Sequence, residues 1–398
     1  MSVFMRTLLS FIKIICWVIC CVFTFISCDT SNSVPKNIER TVLVYMAADN
    51  NLNSYSSTNI HLMLQGMKNV EGRLVIYLDP ANDVPHLMVI EGAPNPKLDT
   101  LATYSEENSA SPEVLRRVIG DMRNLYPSNS YGLILWSHGM GWLPSNHNFN
   151  RSYTAGAVRY TNLPTKYFGQ DTHPGNGTKE SFIETDELTA SIFGHFTFIM
   201  FDACFMGAVE VLYGLRDYAD YFIVSPAEIL ANGFPYDKIV PWLWGEEKDL
   251  KRVCAEFFNY YNTYYDPNQL GYNSATVALV KSSELQRLAE LTAEIVGESK
   301  EITSTEVWRY PLSMSSLPNV FYDLGDYINT YGNDVQRSAY KRQLDKTVVF
   351  KATTPTFFGQ PIPSDKFSGL SVYIPQTRWA DMNKIYNRLE WARMVYGE

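Results

Sequence analysis

Two short apolar runs in this chain stop abruptly at residues that can do chemistry. Residues 198–201 read FIMF and break off into Asp202-Ala203-Cys204. Residues 131–136 read YGLILW and break off into Ser137-His138-Gly139. A continuous apolar run of this length, bounded by small and polar residues, has the pattern of a strand buried on both faces. Strands of that kind lie in parallel sheets, and ligands of such sheets bind beyond the carboxyl ends of the strands. His138 and Cys204 both fall there. An apolar-periodic stretch over 206–215 predicts a helix directly after the cysteine, and a helix N-terminus favours the thiolate. Thiol and imidazole at one sheet edge would form a nucleophile and base pair. Taken singly, a histidine after a strand is usually a loop residue, and a buried cysteine is usually inert.

The remainder of the chain alternates. Strands are expected at 40–47 and 73–78, with a hairpin partner at 86–90, and a helix at 53–67. Ser111 followed by Pro112 reads as a capped helix start, the helix running to about residue 125. A short helix is expected at 184–193 with Thr185 as its cap, and a further strand at 221–224. Strand, helix, strand, helix predicts an α/β chain: three α/β/α layers around a mostly parallel central sheet. The core would span 40–240. Beyond it, 249–264, 282–299, 323–331 and 335–347 have helical periodicity, 274–280 and 369–374 look like strands, and 378–395 a terminal helix. Residues 241–398 are therefore expected to form a mainly helical extension that packs on the core and adds a strand to its sheet. Residues 143–180, rich in Asn, Thr, Gly and Pro, show no firm element; loops this long are usually functional or mobile.

The N-terminus has its own character. Arg6 and Lys13 precede an almost wholly apolar stretch at 14–26, then Ser27-Cys28. That order matches a secretory signal over 1–27, and the ending FISC resembles a bacterial lipobox, in which Cys28 becomes the lipid-bearing first residue. An uncleaved transmembrane anchor is the alternative. Either way the body is placed outside the cytoplasm, in the envelope or at the cell surface, on a polar tether at 28–39. Of six cysteines, only Cys204 and Cys254 lie beyond residue 28, so no disulfide framework is expected, and Cys254 reads as a small buried residue on a helix. A net charge of -9 without a basic tract argues against a nucleic-acid surface. Asp49 with Asn50 and Asn51 offers oxygens suited to Ca²⁺, though such a run more often makes a turn. His61, His86, His147, His173 and His195 show no metal-ligand spacing, and no cofactor is expected to be required.

Four blocks carry a resemblance. WSHGMGW (136–142), FDACFMGAVEV (201–211), VLVYMAADNNL (42–52) and YADYFIVSPAEILANGFPY (218–236) resemble, in order, the blocks of the clostripain family of cysteine peptidases. The fold of that family is similar to that of caspases, gingipains and legumain. The resemblance implies a Cys204–His138 dyad whose members are not hydrogen-bonded without substrate. It implies cleavage after Arg or Lys, with Asp202 matching an acidic residue of the family's specificity pocket. It also implies autocatalytic cutting of the linker after a basic residue, for which Arg151 is the candidate.

The residues themselves suggest the remaining roles. Backbone N–H groups of Gly139 and Cys204 could hold an oxyanion, glycine permitting close approach. Glu228 is a second carboxylate for a cation pocket and Asp237 a distant third. Asp202 could instead cap the helix that follows it. The expected partner is a peptide or protein substrate, acted on by a monomer. Two other functions compete: a non-catalytic surface lipoprotein that binds glycan or protein through some of its 26 tyrosines, or a peptidase fold that has lost activity.

Overall fold

Nine strands form one sheet, in the order β12-β10-β9-β8-β5-β1-β2-β3-β4. They are β1 (Arg40–Ala48), β2 (Arg73–Pro80), β3 (His86–Glu91), β4 (Lys97–Thr103), β5 (Ser130–Trp136), β8 (Phe196–Asp202), β9 (Ala219–Val224), β10 (Thr276–Lys281) and β12 (Val348–Thr353). The numbering leaves room for a ribbon of β6 (Phe168–Asp171) with β7 (Ser181–Ile183), and for β11 (Tyr322–Asp323). The computed structural model describes residues 39–143, 168–173, 180–263, 273–296, 306–312 and 319–397. The signal, the tether up to residue 38, Cys28, His147 and Arg151 lie outside them. No helix among the described residues is long and apolar enough to cross a membrane.

The five central strands, β9-β8-β5-β1-β2, pair in parallel, and antiparallel strands extend the sheet at both sides. This is the expected α/β sheet. Alternate residues of its strands feed two separate apolar layers. Tyr45, Tyr77, Leu135 and Phe201 face one; Val44, Ile76, Ile134 and Met200 face the other. Helix α1 (Asn53–Gly66) covers the second face through Ile60 and Met63, with Cys254 buried beside them on a helix at Glu247–Thr263. Helix α2 (Pro112–Leu125) covers the first through Leu115, Val118, Ile119 and Met122. Each such side chain withdrawn from water contributes about 1.5–3 kcal/mol. Ser111 caps α2 as its sequence predicts, accepting from the backbone N–H of Glu113 at 3.2 Å.

Several local expectations are corrected. β4 was not anticipated, because Lys97–Thr103 lies on the rim with nearly every residue exposed and shows no apolar alternation. Two strands come from beyond residue 240, β10 and β12, where one was expected. The helix α3 (Thr185–Ser191) has Glu184 at its N-cap position; Thr185 sits inside the helix and donates its hydroxyl to the Gly141 carbonyl at 3.0 Å. In 369–374 only Ser371–Val372 pairs as a strand, against β11. The terminal helix is broken into Ala380–Tyr386 and Glu390–Tyr396.

Candidate active site

The parallel register sets the site. Trp136, the last residue of β5, lies opposite Asp202, the last residue of β8, and opposite Met46 of β1 on its other side. The segments after these strands, starting at Ser137, Ala203 and Asp49, therefore meet at one edge. They enclose a pocket of about 300 Å³ whose lining includes Asn51, His138, Gly139, Asp202, Cys204 and Glu228. Of the catalytic and substrate-binding residues anticipated from the sequence, His138, Gly139, Cys204, Asp202 and Glu228 are brought to this cavity. Asp237 does not line it; its carboxylate pairs with Lys238 at 3.0 Å.

The histidine loop is tied to its neighbours. Ser137 donates its hydroxyl to the Ala47 carbonyl at 2.7 Å and accepts from the Gln170 N–H at 3.3 Å. The His138 carbonyl accepts from Gly169 at 3.0 Å. This places the β6 segment, unforeseen in the loop 143–180, against the site. A Cβ on Gly139 would sit 2.7 Å from the Cys204 carbonyl oxygen and 3.0 Å from the Ala203 Cβ, so only glycine lets the loop approach the cysteine turn this closely. Trp142 closes the loop, buried against Tyr373 at 4.7 Å and Tyr386 at 4.9 Å.

The cysteine turn differs from its sequence-based picture. Phe205 holds a left-handed backbone, φ 60°, unusual for a bulky residue and a store of local strain. Its ring stacks on Phe321 at 4.4 Å, which over-determines the conformation. The chain does not enter a helix until Val209, with Ala208 as N-cap, and that helix ends at Gly214. The helix over 206–215 with its N-terminus at the thiol is therefore not formed, and Asp202 caps nothing. Burial first, then the charge of Glu228, pushes the Cys204 thiol up to about 12. The Ile229 N–H, 3.3 Å from Sγ, opposes this only in part, while Sγ itself donates to the Ile229 carbonyl at 3.5 Å. Burial pushes the His138 imidazole down to about 4. At neutral pH the pair is thus thiol and imidazole, both uncharged, rather than thiolate and imidazolium.

Asp202 is buried, 5% exposed, yet lines the cavity. Both described hydrogen bonds of its side chain fall on Oδ2, from the Phe234 N–H at 3.1 Å and the Tyr236 hydroxyl at 2.9 Å. Burial outweighs them and raises its carboxyl to about 6. Gly233, at φ 68°, forms the facing wall, where a Cβ would lie 2.5 Å from Asp202 Oδ2; the Tyr261 hydroxyl holds its carbonyl at 2.6 Å. Among the described residues no backbone carbonyl accepts from the N–H of Gly139 or Cys204.

One contact had no signal in the sequence: Asn51 Oδ1 lies 2.6 Å from His138 Nε2. Its neighbours have partners of their own. Asp49 Oδ1 meets His173 Nδ1 at 2.7 Å and the Thr172 hydroxyl at 3.1 Å. Asn50 Nδ2 donates to the Ala47 and Gln170 carbonyls. Asp49, Asn50 and Asn51 thus serve three different places, and no group of three His, Cys, Asp or Glu among the described residues could hold a metal ion.

Comparison with known proteins places the chain in a family. The profile of the clostripain family matches residues 44–378. Clostripain of Hathewaya histolytica is 26% identical over 236 residues, which cover 51% of this chain and 42% of that protein; the match thus spans less than half of the relative's length. The structure is similar to that of an inactive zymogen C11 protease from Parabacteroides distasonis, at 34% identity and TM-score 0.77 over 91% of this chain and 99% of that one. It is also similar to a secreted C11 cysteine protease from Bacteroides thetaiotaomicron, solved with an irreversible peptide inhibitor, at 30% identity and TM-score 0.75 over 91% of this chain and all of that one. With its central sheet matching those proteases and the family profile running from β1 past the last strand, the chain belongs to the clostripain family of cysteine peptidases.

Proposed function

We propose that the protein is an exported cysteine endopeptidase that cleaves after Arg or Lys. The observation that carries this reading is one cavity holding Cys204, His138 and a buried carboxylate, Asp202. Cys204 attacks the scissile carbonyl; as its sulfur bonds to carbon, the thiol proton passes to His138. The N–H groups of Gly139 and Cys204 hold the resulting oxyanion. His138 then gives the proton to the leaving amine as the C–N bond breaks, and water hydrolyses the thioester. The substrate cation enters beside Asp202, whose Oδ1 takes neither of the two described hydrogen bonds, with Glu228 as a second charge in the lining. The steps require no cofactor.

A panel of fluorogenic peptides with Arg, Lys, Asp, Asn or Ala before the cleaved bond tests the reading, with Cys204→Ala as control. Turnover confined to Arg and Lys supports it. Turnover after another residue removes Asp202 from the specificity role. Silence across the panel, including after limited proteolysis of the 143–180 segment, favours the non-catalytic surface lipoprotein. Mass spectrometry of the active material reads two further parts of the proposal. A new N-terminus at Ser152 is expected from cutting after Arg151, and an acyl chain on Cys28 from lipid anchoring.

The pH dependence has a definite sign. Asp202 is held up to about 6 in the free protein, so it is neutral below that pH and charged above it. Binding of a cation requires the charged form. KM for Arg and Lys peptides should therefore be flat above pH 7 and rise about tenfold per unit below pH 6. His138 stays unprotonated down to about 4, so kcat should hold across that window. Initial rates at saturating and limiting substrate from pH 4.5 to 8 separate the two; a KM that stays flat through pH 5 removes Asp202 from cation binding.

A further inference from the structure

We propose that Asn51 is the positioning residue of the dyad, holding His138 through an Nε2–H···Oδ1 hydrogen bond so that Nδ1 carries the proton between sulfur and leaving amine. This rests on the cysteine peptidase reading above and deepens it. The contact is short, 2.6 Å, and joins residues 87 apart in sequence. An amide oxygen can only accept, so the bond puts a proton on Nε2 and leaves Nδ1 with the free electron pair. A histidine's tautomer is set in this way by what its other nitrogen meets.

The side chain of Asn51 is exposed, and its only described hydrogen bond is the one to the imidazole. Among the described residues it therefore holds no other element of the fold. Its backbone, by contrast, is pinned from both sides. Asn50 donates to the Ala47 and Gln170 carbonyls at 2.9 and 2.8 Å, its Oδ1 accepts from Leu52 at 2.9 Å, and its carbonyl accepts from Asn53 at 3.1 Å. Asp49 is fixed by Thr172 and His173. An exposed amide on a clamped turn, aimed at a ring, suits orientation rather than folding. The choice of amide also fits the charge of the site. Asp202 and Glu228 already line the cavity, and a third carboxylate, set on the ring itself, would draw it toward the imidazolium. A neutral acceptor orients the ring and leaves it free to take the thiol proton.

The test reads the ring directly, so it does not depend on turnover. With ¹⁵N-labelled histidine, the His138 signal is assigned by its loss in His138→Ala. The expected spectrum shows the Nε2–H tautomer in the unaltered protein and a mixture of both tautomers in Asn51→Ala. In Asn51→Asp the Nε2–H form should persist, with the titration of the ring moved up by one unit or more. If peptide cleavage is present, Asn51→Ala should lower kcat about ten- to a hundredfold with KM within about twofold, and Asn51→Asp should move the acid limb of the rate profile upward. An Nδ1–H tautomer in the unaltered protein, or one unchanged by Asn51→Ala, overturns the proposal. If the tautomer shifts as expected but no peptide is cleaved, the peptidase reading fails while the positioning contact stands.

Discussion

Cys204→Ala is expected to lower peptide turnover by on the order of 10⁵- to 10⁶-fold, the scale on which losing a nucleophile acts when its partners remain. Alanine removes only the sulfur, and the turn around it is held by other means. The Phe205 N–H donates to the Ala227 carbonyl and the Gly207 N–H to the Ser225 carbonyl, both untouched by the change. The folded state should therefore survive, and a thermal melt within a few degrees of the parent would show it. Labelling gives an independent reading. An irreversible peptide electrophile should modify Cys204 and leave Cys254 alone, since Cys254 is fully buried in the second apolar layer and burial holds its thiol protonated. Turnover that persists in Cys204→Ala would falsify the assignment of the nucleophile. The resting thiol is protonated, so reaction with small untargeted alkylating agents should be slow. A peptide that occupies the cavity displaces water and brings its carbonyl to sulfur, which small reagents do not.

Asp202→Asn should abolish the preference for a cation. Removing one member of a desolvated charge pair costs about 2–5 kcal/mol, so kcat/KM for Arg and Lys peptides should drop thirtyfold to several thousandfold. Peptides with Ala at the same place should lose almost nothing. The substitution is well controlled because an asparagine oxygen can still accept from the Phe234 N–H and the Tyr236 hydroxyl. The wall formed by Gly233 thus keeps its shape, and the effect isolates charge. An equal loss for Arg, Lys and Ala peptides would show instead that Asp202 acts by supporting the turn ahead of Cys204.

Much of this arrangement is legible in the residues, for a physical reason. β5 and β8 are covered on both faces, so their final stretches, Leu133–Trp136 and Phe198–Phe201, are wholly apolar, and the first polar residue after each marks the sheet edge. The edge is where ligands bind, so the ends of those runs name the site. Three features escape such reading. The helix after Cys204 has apolar periodicity from residue 206, but the left-handed Phe205 and the bond from Ser371 to the Gly207 carbonyl keep the backbone irregular until Val209. The thiol's protonation follows first from burial by the packed fold and then from Glu228, which arrives from beyond the end of β9; neither is a property of the local sequence. The Asn51–His138 contact depends on the register that sets Met46 beside Trp136, a relation between two segments that no single stretch contains.

The outer strands of the sheet bear on how the chain behaves when shortened. β9 carries Phe222, Ile223 and Val224 and is covered along its far side by β10, which is covered in turn by β12. The exposed rims are thereby left to β4, with Lys97 and Asp99, and to β12, with Lys351 in its middle, and charge on a rim discourages another chain from adding to it. Every site residue lies before residue 240, so a body ended there would keep the chemistry on paper. It would also strip β9 bare and present its unpaired backbone groups to neighbouring copies. Such a fragment is expected to self-associate through that rim, and a soluble body has to carry the chain at least through Thr353.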